Sequence, residues 1–280
     1  MIGGVRFTKG HGTGNDFVIL PDPDGELELT AERVAALCDR HRGIGGDGVL
    51  RVVRSAKHPE AAGQAGEAEW FMDYWNSDGS FAEMCGNGVR VFVRYLMSND
   101  LATPGPAGLP VATRAGIMVA QVNDGSIRVR MTTPRVYAGS TATIGALTVP
   151  GVAVDCGNPH LVCNLHDGVR LAVLDLTRPP GHDPAVFPGG VNVEFVEPAE
   201  PVDGVDGHVR MRVHERGSGE TLSCGTGALA VGAVALRDAG LTTGSIAVDL
   251  PGGRLIVTHD DDGVWWLEGP AVLVATGEVL

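Results

Sequence analysis

The sequence predicts an α/β protein built from two similar halves, and three observations carry that prediction. Short β-like runs separated by turns dominate a chain of 280 residues that contains 41 glycines. Three longer stretches read as helices. Several motifs then recur in one order at nearly one offset: 143 residues from Gly14-Asn15 to Gly157-Asn158, 144 from Gly45-Gly46 to Gly189-Gly190, and 139 from Cys85 to Cys224. Any one of these would arise by chance; all three in order point to a duplicated chain. The halves are expected at residues 1–133 and 134–268, related by a pseudo-twofold axis.

In the first half, Val5–Lys9 and Phe17–Leu20 have strand character. A helix follows over Thr30–His41, with Thr30 as its cap and Glu32 in the first turn, where an acid is favoured. Val49–Val53 and Glu69–Trp75 read as strands, Cys85 opens a helix to about Asn99, and the Pro- and Gly-rich Ala102–Pro110 reads as a loop. Ile117–Val122 and Ser126–Met131 flank Asn123-Asp124-Gly125, a hairpin signal. The second half gives strands at Val152–Asp155 and Leu161–Leu165, then loops at Arg178–Gly190 and Glu197–Gly207. Val209, Met211 and Val213 alternate with Arg210, Arg212 and His214, the period-two pattern of a half-buried strand. Cys224 starts a helix through Asp238, closed by Gly240. Ser245–Leu250 and Arg254–Thr258 form a hairpin across Pro251-Gly252-Gly253, and Val264–Leu267 is a last strand.

Composition excludes several classes. Hydrophobic residues at 44% and charged residues at 20% fit a folded chain. A net charge of −13 argues against nucleic acid or an anionic membrane as partner, since both require basic surface. Gly3, Gly4, Arg6, Thr8 and Lys9 interrupt any signal-peptide pattern, and the most apolar helical stretch, Ala228–Leu236, is too short to span a bilayer. Five cysteines without a CxxC pair fit neither a disulfide framework nor a thiolate zinc site. The expectation is a cytoplasmic protein with reduced thiols and no metal.

Two of those thiols stand in matching frames, Met84-Cys85-Gly86-Asn87-Gly88 and Ser223-Cys224-Gly225-Thr226-Gly227. Each follows a strand and turn and opens a helix, where the dipole and unpaired amides favour a thiolate. Asn76 lies nine residues before Cys85, and Glu215 nine before Cys224. Across a pseudo-twofold cleft, two such thiols would face one ligand, and two helix N-termini would hold a carboxylate. That arrangement suits removal of a proton α to a carboxylate on one face and its return on the other. Because one thiol must be ionised while the other is not, the pair titrates as a coupled system. Asn15, Asn76, Asn158 and Asn192, all beside glycines or strand ends, would line a polar pocket; Glu215-Arg216, ending a strand, form a second cluster, and His160 would bias a cysteine's protonation. Cys38, Cys156 and Cys163 are expected to be buried packing residues.

These motifs resemble the diaminopimelate epimerase family, PLP-independent enzymes that interconvert LL- and meso-diaminopimelate in lysine and peptidoglycan synthesis. The likeness runs from His11-Gly12-Thr13-Gly14-Asn15-Asp16-Phe17 to Gly269-Pro270. It takes in Asn76-Ser77-Asp78-Gly79-Ser80, both cysteine frames, Gly157-Asn158-Pro159-His160 and Glu215-Arg216-Gly217. The resemblance implies an α+β fold, each half a curved, mostly antiparallel sheet around a central helix, with 269–280 returning to the first half. It implies that Cys85 and Cys224 are the two acid–base groups and that Gly86, Asn87, Gly225 and Thr226 bind the reacting carboxylate. Asn15, Asn76, Asn158, Asn192, Glu215 and Arg216 would hold the rest of a zwitterionic substrate, Arg216 at its distal carboxylate and Glu215 at an ammonium. His160 and Glu215 would tune the cysteines, no cofactor would be needed, and a homodimer is expected. Two positions depart from the family: Gly48 stands where members often carry a Gln, and Ala275 where some carry a dimer-contact Tyr.

Two other readings compete. Proline racemases and hydroxyproline epimerases resemble a Cys-Gly-His-Gly first frame, whereas this chain has Asn87. The single-carboxylate substrates of those enzymes also give no role to Glu215-Arg216. A non-catalytic binding or redox-switch protein would use the paired thiols as a reversible disulfide.

Overall fold

The computed structural model describes residues 3–123, 125–166 and 168–280. Its contacts divide the chain into two compact units, residues 1–130 with 269–280, and residues 131–268. The first unit contains β1 (Arg6–Gly12), β2 (Asn15–Pro21), α1 (Ala31–Cys38), β3 (Gly48–Arg54), β4 (Trp70–Asn76), α2 (Gly86–Ser98), β5 (Leu109–Thr113), β6 (Gly116–Asn123) and β7 (Ser126–Met131). The second contains β8 (Arg135–Ile144), β9 (Leu147–Asp155), β10 (Pro159–Asn164), β11 (Gly181–His182), β12 (Asn192–Pro198), β13 (Gly207–Glu215), β14 (Gly219–Thr221), α3 (Gly225–Asp238), β15 (Gly244–Leu250), β16 (Gly253–His259) and β17 (Trp265–Gly269). The last strand, β18 (Val272–Glu278), pairs antiparallel with β1 in the first unit.

Both units use the same series of pairings. From β1 to β7, successive strands pair antiparallel, parallel, antiparallel, parallel, antiparallel and antiparallel. The series β9, β10, β12, β13, β15, β16, β17 repeats it step for step. Parallel neighbours need a crossover. In the first unit α1 supplies it between β2 and β3, and α2 between β4 and β5; in the second, α3 joins β13 to β15. In the first unit α2 packs on β1 to β6 and β18, and in the second α3 packs on β9, β10, β12, β13, β15 and β16. A helix covered on so many sides must be apolar around its circumference. Val89, Val91, Phe92, Val93 and Leu96 of α2 are fully buried, as are Ala228, Leu229 and Ala230 of α3.

Several elements differ from the sequence expectation. Thr30 caps α1 by accepting from Arg33 N at 3.4 Å, but the helix ends at Cys38, before His41. Asp39 ends it by accepting from the His41 and Arg42 N–H groups, and the chain doubles back so that Ile44 and Gly45 donate to Leu37 O. A Cβ at Gly43 would lie 2.1 Å from Ala36 O, so only glycine permits that return. β5 takes Leu109 and Pro110 from the expected loop, and β11 lies inside the expected loop at Arg178–Gly190. The loop expected over Glu197–Gly207 begins inside β12 and ends inside β13. β8, the first half of β9, β12 and β14 have no counterpart in the sequence reading. Asp124 of the expected hairpin turn lies outside the described residues, while its flanks pair in register, Asn123 with Ser126. No described helix is long and apolar enough to cross a membrane.

Candidate functional site

In the first unit, Cys85 is the N-cap of α2. Its backbone is extended, at φ −145° and ψ 117°, and Gly88 N donates to its Sγ at 3.4 Å. A cysteine here does what serine or aspartate does at most helix starts: it satisfies one of the four orphan N–H groups. Asn15 reaches the same sulfur. β1 and β2 are joined by Thr13 and Gly14, both in the left-handed region at φ 52° and 84°, the geometry of a type I′ turn. That turn sets Asn15 so that its Oδ1 accepts from the Cys85 thiol at 3.5 Å and from Asn87 Nδ2 at 3.4 Å.

Asn15 Nδ2 donates to Asp47 at 2.8 Å, which fixes the amide's orientation. Asp47 is held by Arg40 at 2.7 Å, and Arg40 also pairs with Asp16. Burial alone would raise the Asp16 carboxyl, but Arg40 and Lys9 pull it well below the usual carboxylate range. Asn87 is buried, and its Oδ1 accepts from Arg90 at 2.9 Å. Its side chain therefore belongs to the scaffold, so a carboxylate would meet the main chain of Gly86-Asn87 at the start of the helix. Asn76 closes the turn after β4, donating to Ser80 Oγ at 3.0 Å. Gly48 pairs with Asn76 across β3 and β4, and a Cβ there would lie 2.4 Å from Trp75 O. Local packing thus excludes a side chain where the family often has Gln.

In the second unit, Cys224 caps α3 in the same way, with φ −124°, ψ 114° and Gly227 N donating to Sγ at 3.4 Å. Its surroundings differ. The sulfur is buried and lies 3.7 Å from Thr226 Oγ1. Burial, then the charges of Glu215 and Glu194, push this thiol well above its ordinary value. The β13–β14 hairpin carries Glu215, whose carboxylate accepts from Thr221 Oγ1. Asn192 accepts from Arg216 N at 2.9 Å and donates to Pro159 O at 3.1 Å, tying the Arg216 backbone to β10. The Arg216 guanidinium donates to Gly189 O at 3.1 Å, and no carboxylate of the described residues pairs with it.

Glu194 is the functional candidate that the sequence reading missed in this unit. It is fully buried on β12, with Oε1 2.6 Å from His160 Nδ1, while His160 Nε2 lies 2.9 Å from Asn158 Oδ1. Its other oxygen has no hydrogen-bond partner. Burial raises the Glu194 carboxyl, His160 opposes the rise, and Glu215 adds to it. The signal was a single acid inside the apolar run Val193-Glu194-Phe195-Val196; a similar signal in the first unit, at a different place in the fold, is Arg90 inside Val89-Arg90-Val91-Phe92. Among the remaining thiols, burial pushes Cys38 and Cys163 up to about 12, and Cys156 higher still. Among the described residues, no group of three or more His, Cys, Asp or Glu side chains is placed to hold a metal ion.

The fold is that of a class of strand-rich α/β proteins with solved structures. A PhzF-family phenazine biosynthesis protein from Bacillus anthracis superposes with a TM-score of 0.69 at 20% identity, covering 99% of both chains. A hydroxyproline epimerase from Agrobacterium vitis does so with a TM-score of 0.63 at 14% identity, covering 98% of this chain and 92% of that one. Sequence narrows the class. The diaminopimelate epimerase family model matches residues 7–137 and 152–279. The diaminopimelate epimerase of Streptomyces coelicolor is 52% identical over 283 residues, covering 98% of this chain and 95% of that protein. This chain belongs to the diaminopimelate epimerase family.

Proposed function

We propose that this chain interconverts LL- and meso-2,6-diaminopimelate by a two-base mechanism in which Cys85 and Cys224 act on opposite faces of one α-carbon. The observation that carries the reading is the duplicated cap. Each thiol closes the start of a buried helix, binds the N–H three residues on, and stands next to a Gly-Asn or Gly-Thr main chain. Family membership supplies the substrate, and supports a role in lysine and peptidoglycan precursor synthesis in the cytoplasm.

In the reaction, the thiolate removes the α-proton and becomes a thiol. The electron pair left on carbon spreads into the α-carboxylate, and main-chain donors at the helix starts stabilise that charge, each well-placed donor contributing about 3–4 kcal/mol. The second thiol then delivers its proton to the opposite face and becomes the thiolate. Stereochemistry is inverted, and the two sulfurs have exchanged protonation states. Arg216, which pairs with no carboxylate among the described residues, binds the distal carboxylate, while Glu215 meets an ammonium. The carboxylates around Cys224 favour its role as the thiol in the resting protein.

Incorporation of deuterium from heavy water at the α-carbon of LL-diaminopimelate tests the reading, with wild type, Cys85→Ala and Cys224→Ala compared. Wild type should wash in deuterium without added PLP or metal, and both variants should lose epimerisation. Epimerisation at the wild-type rate in both variants refutes the two-base assignment. Exchange of proline but not diaminopimelate would favour a proline racemase or hydroxyproline epimerase activity instead.

A further inference from the structure

Arg90 is fully buried in α2, and no carboxylate of the described residues forms an ion pair with it. Such a residue is unexpected, because a buried guanidinium is normally neutralised by an adjacent anion. Helical side chains lean toward the N-terminus, so Arg90 points back under the first turn. There it donates to Asn87 Oδ1 at 2.9 Å, Gly86 O at 3.4 Å and Thr13 Oγ1 at 3.4 Å, while its Nε has no partner. Gly12 leaves the room it needs: a Cβ there would lie 3.1 Å from Arg90 Nη2. The guanidinium thus ties the Cys85 frame to the turn that carries Asn15.

The duplicated chain contains its own control. Five residues after Cys224, the position matching Arg90 is Leu229, fully buried in α3. An apolar side chain is therefore enough to pack this kind of helix, and packing does not explain the charge. The other ionisable groups on the strands around α2 are already committed. Asp16 holds Lys9 and Arg40, Asp73 holds Arg51 and Arg114, and His11 accepts from Gly14 N. Arg6 and Glu278 are exposed at the surface. Asp47, beyond Asn15, is paired with Arg40, and Arg94 on α2 itself donates to Gly125 O. Cys85, when ionised, acts favourably on Arg90, offsetting part of a burial penalty that lowers the guanidinium to about 10.

We propose that Arg90 is a positioning residue for Cys85: it locks the first turn of α2 to the Asn15 loop and supplies the buried positive charge that favours the Cys85 thiolate. Asn15 Oδ1, which accepts from the thiol, works in the opposite direction, so the charge of Arg90 has a specific task. This inference rests on reading Cys85 as an acid–base group. With Glu194 and Glu215 disfavouring ionisation at Cys224, the two frames are electrostatically opposite, and Cys85 is the resting thiolate.

The test is the pH dependence of iodoacetamide alkylation, resolved by peptide mass spectrometry at Cys85 and Cys224. In wild type, Cys85 should be alkylated at lower pH than Cys224; the reverse order overturns the proposal. Arg90→Met should slow Cys85 alkylation at pH 7 by about tenfold, equivalent to one pH unit, and leave the Cys224 profile in place. Arg90→Lys, which keeps the charge, should recover most of the rate. An unshifted Cys85 profile in folded Arg90→Met refutes the role. Should Arg90→Met fail to fold, the wild-type order and the Arg90→Lys profile decide. The deuterium experiment remains separate: a shifted profile together with full epimerisation by Cys85→Ala would overturn the two-base reading and not the pairing of Arg90 with Cys85.

Discussion

Gly88 and Gly227 occupy the same position in the two cysteine frames, yet the structure predicts opposite results when each is changed to alanine. In both, alanine gains helix propensity over glycine, about 0.5–1 kcal/mol. At Gly88 the new Cβ meets Cys85 Cβ at 3.4 Å, Leu50 at 3.5 Å and Phe17 at 3.6 Å, ordinary contacts that need no rearrangement. Gly88→Ala should therefore be neutral or stabilising. At Gly227 the Cβ meets Glu194 Oε1 at 2.8 Å and Cys224 Sγ at 3.2 Å. Glu194 cannot swing into solvent, because it is fully buried and Oε1 is held by His160 at 2.6 Å. Overpacking of this kind costs about 1–3 kcal/mol, and leaving a buried polar group without its hydrogen bond about 1–3 kcal/mol. Either outweighs the propensity gain, so Gly227→Ala should be less stable than wild type by at least about 1 kcal/mol. Urea unfolding of the two variants, compared at equal m-value, measures this directly. A Gly227→Ala midpoint at or above that of Gly88→Ala would show that Glu194 does not lie under the α3 N-terminus as described.

Two further predictions concern titration. Glu194→Gln removes one of the two carboxylates that disfavour the Cys224 thiolate, so Cys224 should alkylate faster at pH 8.5, about tenfold for each pH unit by which its titration falls; an unchanged rate in the folded variant would remove Glu194 from that role. Cys163 is pushed from 9.0 up to about 12 by burial, so the native state keeps a proton that the unfolded chain releases. Its contribution to stability is complete below pH 9 and is lost as pH rises toward 12, at about 1.4 kcal/mol per pH unit. Between pH 9 and 10, where the unfolded thiol is already half ionised at the start, the loss of unfolding free energy should thus be smaller in Cys163→Ala than in wild type by about 1 kcal/mol, and equal slopes would contradict the assignment.

What the sequence could reveal follows from which forces write themselves locally. The capped helices were legible because a Cys-Gly-x-Gly frame before an apolar run is a local pattern. So was the Val209–Val213 strand, because one of its faces is half buried and alternation survives. β12 was not legible, since a parallel strand buried on both faces loses alternation, and Glu194 and Glu197 broke its apolar run. β9 hid behind Pro150 and Gly151; a Cβ at Gly151 would lie 2.7 Å from Cys163 Sγ, so that glycine records close packing and not a turn. β8 alternates mostly exposed with partly buried small residues, which carry little hydrophobic signal. Among the candidate site residues, the cysteines, asparagines and Glu215-Arg216 are proposed from motif and spacing. Arg90 and Glu194 are not, because their importance lies in burial with incomplete pairing, Arg90 without a carboxylate among the described residues and Glu194 with one oxygen unbonded, and that is a property of three-dimensional neighbours.

Duplication explains why the two frames agree in backbone and disagree in charge. Pairing order, helix crossover and the thiol cap are backbone properties, fixed by strand register and by glycine at a few close approaches, so both copies must keep them to fold. Charge beneath the helix start is not required for folding, as Leu229 in place of an arginine shows, and the copies were free to diverge there. The two-base reaction proposed above would make use of that freedom. Two identical thiols give no preference for which one is ionised, and a doubly protonated or doubly ionised pair cannot start a one-proton relay. On the proposed reading, a cation under Cys85 and carboxylates around Cys224 would select one mixed state in the resting protein. Moving the cation from one helix start to the other, with Arg90→Leu and Leu229→Arg in one chain, should then narrow the pH gap between the alkylation profiles of the two sulfurs if that double variant folds, with Glu194 and Glu215 still opposing ionisation at Cys224; an unchanged gap would mean that the cation under the helix does not set the resting state.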